Sequence, residues 1–302
     1  MATQDEINDG AKKICERFCN STQPLFIGRN GSTEIAVFFF WINNRSSGWP
    51  WPAELIQRLR TNFGVWPITT ESVDKWCRNY EIALSKVNGI VAGWYKPYID
   101  MELKFINQTV PTAFKIPLRS LEPYYVAPEI RWTANLANQD VAVVTSFTQS
   151  IQQQLDRVDP LKIWSNIDSP ETILPPTTRW HLIKSYFPPN VSEEHETGWS
   201  SIGIDSWEPA VDYIVNEVVK TSATVAIIGC GALGFVVGGQ LRKRGISVIL
   251  LGGAVQVLFG IRGKRWENHD VISKFWNDYW IYPLESERPP NAATIEGACY
   301  WE

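Results

Sequence analysis

The sequence predicts an α/β fold, a Rossmann-like parallel or mixed sheet with helices on both faces. Two observations predict it. Thr224-Val-Ala-Ile-Ile-Gly-Cys-Gly-Ala-Leu-Gly234, continued by a helix-forming stretch to Gly245 and by Ile246-Ser-Val-Ile-Leu-Leu-Gly-Gly253, reads as strand, glycine turn, helix, strand. Three apolar runs, reaching Phe26, Val144 and Ile228, also end in loops and alternate with helical patterns. Strands separated by helices favour a sheet covered on both faces. In such sheets a ligand lies beyond the carboxyl ends of the strands.

The elements follow in order. Apolar residues at helical spacing (Ile7, Ala11, Ile14, Cys15, Phe18) predict a helix over 5–19. Pro24-Leu-Phe-Ile-Gly28 reads as a short buried strand running into Arg29-Asn-Gly-Ser-Thr-Glu34. There Ser32 or Thr33 is expected to cap the helix that starts with the Ile35 run. Pro and Gly make 46–52 a loop, and helices are expected over 53–63 and 71–94, split by Gly64 and Pro67. Asp140-Val-Ala-Val-Val-Thr-Ser-Phe147 is a second strand and loop before a polar helix over 148–158. Residues 160–189 are Pro-rich, with short strands expected near Ile173 and over 181–185, and 207–220 is helical by spacing. Without repeats or a low-complexity linker, the chain reads as one domain over 1–302. Its half to about residue 135 is helix-rich and 136–302 is Rossmann-like.

Composition removes several functions. With 28 Lys and Arg against 32 Asp and Glu, the net charge of −4 offers no basic face to nucleic acid. The five scattered cysteines lack CxxC spacing and the N-terminus is polar, so a reduced, cytoplasmic protein is expected. No apolar run is long enough to span a bilayer. Without a secretory leader, the Asn-x-Ser/Thr triplets at Asn20, Asn44, Asn107 and Asn190 carry no meaning. Fifteen tryptophans serve either core packing or stacking on sugar rings. The isolated His181, His195 and His269 show no zinc spacing.

Gly229-Cys-Gly-Ala-Leu-Gly234 fits G-x-G-x-x-G in the strand–helix context that motif requires. Backbone N–H groups at the following helix N-terminus suit a phosphate. An NAD(P) oxidoreductase is one reading, with Arg262, Lys264 or Arg265 meeting an NADP phosphate. Against it, the next strand ends in Leu-Leu-Gly-Gly253 without an acid for a ribose hydroxyl, and only about 50 residues follow to complete a dinucleotide fold. The glycines also suit close helix–strand packing alone.

Several segments together resemble the GT-D-fold glycosyltransferases. Gly28-Arg-Asn-Gly-Ser-Thr-Glu34 is similar to the family's Arg-x-Gly-Asp-x-Glu signature. Ser120-Leu-Glu-Pro-Tyr-Tyr125, Val143-Val-Thr-Ser-Phe147, Gly252-Gly-Ala-Val-Gln256, Phe259-Gly-Ile-Arg-Gly-Lys-Arg-Trp266 and Glu296-Gly-Ala-Cys-Tyr-Trp301 resemble an uncharacterised branch of it. The resemblance implies a GT-D-like α/β domain that transfers a sugar from a UDP- or GDP-linked donor to a glycan or other hydroxyl acceptor. It also implies a divalent cation, Mn²⁺ or Mg²⁺, held with help from an Asp-x-Glu pair. By position Arg29, Gly31 and Glu34 match the family's Arg, Gly and Glu, and Ser32 stands where the family has Asp. A hydroxyl holds a hard cation more weakly than a carboxylate does.

On this reading Glu34 is the catalytic base or the metal ligand, or else a first-turn carboxylate that steadies its helix. The donor-binding set is Gly28, Arg29, Asn30, Gly31 and Ser32 at the first junction, with Thr145, Ser146 and Phe147 at the second. Arg29 suits the diphosphate or else a structural ion pair with Glu34 or another carboxylate, and Thr145 and Ser146 suit the pocket or else a helix cap. Gly229, Gly231, Gly253 and Gln256 line the glycine turns. Arg262, Lys264, Arg265 and Trp266 form a basic and aromatic cluster for the diphosphate, or a solvated turn. Glu296 and Tyr300 belong to a C-terminal strand or lid implied by the resemblance. A nucleotide- or glycan-binding module without turnover is the non-catalytic alternative.

Overall fold

A computed structural model describes residues 2–46, 50–192 and 194–302, so the expected loop over 46–52 falls partly outside the described residues. The helices are α1 (Gln4–Asn20), α2 (Ser32–Asn44), α3 (Ala53–Arg58), α4 (Thr70–Leu84), α5 (Ile99–Thr109), α6 (Thr148–Arg157), α7 (Pro160–Ile163), α8 (Pro189–Ser192), α9 (Trp207–Val219), α10 (Leu233–Lys243) and α11 (Ala254–Leu258). The strands are β1 (Phe26–Arg29), β2 (Gly89–Val91), β3 (Phe114–Ile116), β4 (Asp140–Thr145), β5 (Arg179–Lys184), β6 (Val225–Gly229) and β7 (Ser247–Leu250). They form one seven-stranded sheet in the order β3-β2-β1-β7-β6-β4-β5, and every pairing is parallel.

The central strands are apolar on both faces, as a doubly covered parallel sheet requires. Phe26, Ala142, Val144, Ala226, Ile228, Val248 and Leu250 join the core under α2, α4, α5, α9 and α10. Their neighbours Ile27, Val141, Val143, Val225, Ile227, Ile249 and Leu251 join the opposite core under α1, α6, α11 and the C-terminal segment. Two glycines of α10 let it close on its neighbours. A Cβ at Gly238 would lie 2.8 Å from the Phe26 ring, and one at Gly239 would lie 2.9 Å from Ala83 of α4.

Three local expectations change. The helix expected over 71–94 stops at Leu84, and β2 follows, with the Asn88 carboxamide oxygen accepting the Phe26 N–H at 2.8 Å to align it with β1. The segment at Ile173 ends a 3₁₀ turn (Pro170–Thr172) rather than forming a strand. The stretch over 53–63 is α-helical to Arg58 and then widens into a π turn at Leu59–Phe63.

Connections leave β4 and β6 on opposite faces and toward opposite edges. From β4 the chain runs through α6 to β5, and from β6 through α10 to β7. Between such strands a crevice opens at the carboxyl ends. The register sets Thr145 beside Gly229 and Ile228 beside Leu250 along its floor.

Candidate functional site

A cleft of about 300 Å³ occupies this crevice and extends to the end of β1. Arg29, Gly31, Ser32, Glu34, Thr145, Ser146, Phe147, Gly229, Gly231, Gly253, Gln256, Arg265, Glu296 and Tyr300 all line it, so the first and last parts of the chain meet as the sequence reading requires.

The glycine turn divides its labour. A Cβ at Gly229 would meet the Gly252 carbonyl oxygen at 2.5 Å, so this glycine lets the ends of β6 and β7 approach. Gly231 has φ +56° and open space around it, so it makes the turn and leaves the backbone accessible. Gly234 has ordinary 3.7 Å neighbours and requires no glycine. Ala232 stands at the N-cap of α10 with no side chain capping the helix. The Gly234 N–H is taken by the Gly231 carbonyl at 3.0 Å, and the positive end of the helix dipole, about half an elementary charge, faces the cleft wall without a side-chain cap.

Glu34 sits in the first turn of α2. The N-cap is Gly31 and not Ser32 or Thr33, both of which lie inside the helix. The Glu34 carboxylate folds back over Gly31 so closely that a Cβ there would overlap it. Burial pushes the Glu34 carboxyl up from 4.5 to about 7, the charge of Glu296 adds to the rise, and its own backbone N–H and Arg29 work against it. A carboxyl near neutrality can accept or release a proton at physiological pH.

Arg29 donates from Nη1 to the Leu251 carbonyl at 3.0 Å and lies 5.7 Å from the centre of the Trp94 ring. Gly252, at φ +63°, leaves the space that the guanidinium fills. Arg265, about a third exposed, donates to Glu296 at 2.6 Å and to the Tyr300 hydroxyl at 2.9 Å. Gln256 is buried and clamps the C-terminal segment, donating to the Arg262 carbonyl at 2.6 Å and the Tyr300 carbonyl at 2.7 Å. Three lining residues carry buried polar atoms without a hydrogen-bond partner: Arg29 Nε, Gln256 Oε1 and Trp301 Nε1. Buried polar atoms are rarely left so, and these three lie behind the cleft surface rather than on it.

Five expected donor-binding residues do not line the cleft. Gly28 is inside β1, where a Cβ would strike the Phe235 ring at 2.6 Å. Asn30 is consumed by a buried network, donating to Glu102 at 2.7 Å and accepting from the Tyr80 hydroxyl. Arg262 turns away to donate to the Asn277 carbonyl at 2.7 Å. Lys264 is exposed and Trp266 buried elsewhere. The basic cluster separates because Lys264–Trp266 is a 3₁₀ turn, whose three residues per turn point consecutive side chains about 120° apart. The expected C-terminal strand is a 3₁₀ turn, Ala292–Thr294, followed by a left-handed turn at Glu296–Ala298.

The sequence reading missed Tyr80, Trp94, Ser185, Tyr186 and Trp199, which also line the cleft. Their strands and helices were partly expected, but nothing local to them points inward.

Among the described residues no group of three His, Cys, Asp or Glu side chains is placed to hold a metal ion. Glu34 and Ser32 alone suit a divalent cation poorly, and Glu296 is already paired with Arg265. Among the described residues no helix is long and apolar enough to cross a membrane. Comparison of the chain with family models, curated proteins and solved structures returns no match.

Proposed function

We propose that the chain is a glycosyltransferase that uses a UDP- or GDP-linked sugar. The observation that carries this is the meeting, in one aromatic-walled cleft, of an uncapped helix N-terminus, Arg29, Arg265 and a carboxyl poised near pH 7. The diphosphate lies over Gly231 and the N-terminus of α10, where backbone N–H groups and the dipole meet its charge. Arg265 exchanges Glu296 for a phosphate oxygen and offers a forked contact. Trp94, Tyr186 and Tyr300, partly exposed aromatic side chains of the lining, supply faces for a base and a sugar.

In the transfer step the acceptor hydroxyl oxygen bonds to the anomeric carbon and the bond from that carbon to the diphosphate oxygen breaks. The hydroxyl proton passes to the Glu34 carboxylate, and the electron pair of the broken bond leaves with the diphosphate. Positive groups around the diphosphate stabilise the charge that develops there. No step is routed through a cation, since the side chains present do not form a ligand set for one.

A screen of UDP- and GDP-linked sugars by thermal shift, each with and without Mn²⁺, tests the proposal. A donor at a hundred times its Kd adds about 2.7 kcal/mol. Transfer then has to appear with the same donor.

A second reading is favoured by one observation. Around β6 the strand order β1-β7-β6-β4-β5 is that of a dinucleotide-binding sheet, with β1, β4 and β5 taken from earlier in the chain. The shortage of residues after Gly253 therefore does not argue against an NADP-dependent oxidoreductase. The missing acid at the end of β7 still argues against NAD, and retention of NADPH in place of nucleotide sugars would select this second reading.

A further inference from the structure

A second groove, of about 780 Å³, lies beyond the ends of β2 and β3 and shares Trp94 with the cleft. Trp94 is fixed between the two by a hydrogen bond from Nε1 to the Asn30 carbonyl at 3.0 Å, and Arg29 lies against its ring. The groove's walls come from α1, from the turn that leads into α5, and from the segment after β3.

Its chemistry has two parts. Ile7, Ile99, Leu103, Ile116 and Leu118 give it an aliphatic floor. Lys13, Lys96, Lys115 and Arg119 stand around it, and none of the four forms an ion pair among the described residues. Two acids also line the groove, so it carries four cations against two carboxylates. Glu6 accepts from the Thr3 N–H at 2.7 Å in the cap of α1, and Asp9 pairs with Lys12 at 3.9 Å. The rim is thus cationic above a surface that offers few hydrogen bonds.

We infer that this groove holds the acceptor, an amphiphile with a phosphate head and an aliphatic body. The phosphate meets the four cations and the aliphatic part covers the floor, which leaves the hydroxyl end to reach past Trp94 toward Glu34. A neutral sugar chain would leave the cations unanswered, and a free inorganic anion would leave the floor bare. The inference rests on the transferase reading for the word acceptor, while binding in the groove stands without it.

The test is calorimetric titration of the full chain with octyl phosphate below its micellar concentration, beside octyl glucoside and inorganic phosphate. Octyl phosphate should bind at least roughly tenfold more tightly than either partner compound, because only it satisfies both parts of the groove. Lys96→Ala combined with Lys115→Ala, two rim changes that leave the core intact, should weaken it roughly tenfold, while Lys243→Ala at the far end of α10 changes nothing. Saturating the cleft with UDP should leave octyl phosphate binding in place. Equal binding of octyl glucoside, equal binding of inorganic phosphate, an unaffected double variant, or displacement by UDP each overturns the assignment. Failure of the nucleotide-sugar screen alongside intact octyl phosphate binding sinks the transferase reading and not the groove.

Discussion

Arg265 and Glu296 form a 2.6 Å ion pair at the edge of the cleft, so the cation best placed for a phosphate already holds a carboxylate. On the proposed reading an incoming diphosphate displaces Glu296, and Glu296 also raises the Glu34 carboxyl. Glu296→Gln should therefore tighten the binding of UDP by about 1 kcal/mol, roughly fivefold, since a pair about a third exposed contributes about that much. Calorimetry on the two proteins checks it, and weaker binding by the variant would show that Glu296 itself helps hold the ligand.

The same segment stores strain. Glu296, Gly297 and Ala298 all have positive φ, at +48°, +70° and +60°. A left-handed non-glycine residue costs about 1–2 kcal/mol. Ala298→Gly should raise stability by about 1 kcal/mol in urea unfolding. An unchanged or lower midpoint would mean that this backbone relaxes in solution.

Glu34 gives a pH dependence whose sign is fixed. Its carboxyl titrates at about 7 in the fold and 4.5 when unfolded. Between those values the native state keeps a proton that the unfolded state has lost, so stability falls as pH rises through that window. Glu34→Gln removes the effect. The variant should match the wild type at pH 4.5 and exceed it by about 2 kcal/mol above pH 7, the half-buried position screening part of the shift. Transfer should be lost in the same variant while donor binding remains, and melting curves at several pH values with parallel donor titrations separate the two results.

The motif glycines should separate by role. Gly229→Ala drives a methyl into the Gly252 carbonyl and should cost about 2 kcal/mol or more. Gly234→Ala meets only 3.7 Å neighbours near the start of α10 and should be neutral or stabilising by about 0.5 kcal/mol. Equal losses from the two would mean that the turn is not built as described.

Much of this was legible in the chain. The β6–α10–β7 unit and the ends of β1 and β4 follow from glycine placement and apolar runs, and their convergence follows from the parallel sheet they imply. β2 and β3 were not legible, because three residues are too few to show a period and Gly89-Ile-Val91 follows a helix without a proline. The fate of the basic cluster depends on a 3₁₀ turn that composition does not announce. Arg29 reaches the carbonyl of Leu251, 222 residues away, and only the pairing of β1 with β7 makes that contact. Asn30 looked like part of a binding loop because its neighbours are, yet Glu102 and Tyr80 claim it from distant elements.

The most direct measurement is calorimetric titration of wild type and Arg265→Ala with the UDP- or GDP-linked sugar that the screen selects. If Arg265 holds the diphosphate in the cleft that Glu34 lines, the substitution should weaken donor binding roughly tenfold, the cost of a lost charge-assisted contact. Equal dissociation constants for the two proteins would contradict the account, because the phosphate would then lie away from the one cation of the 264–266 turn that lines the cleft.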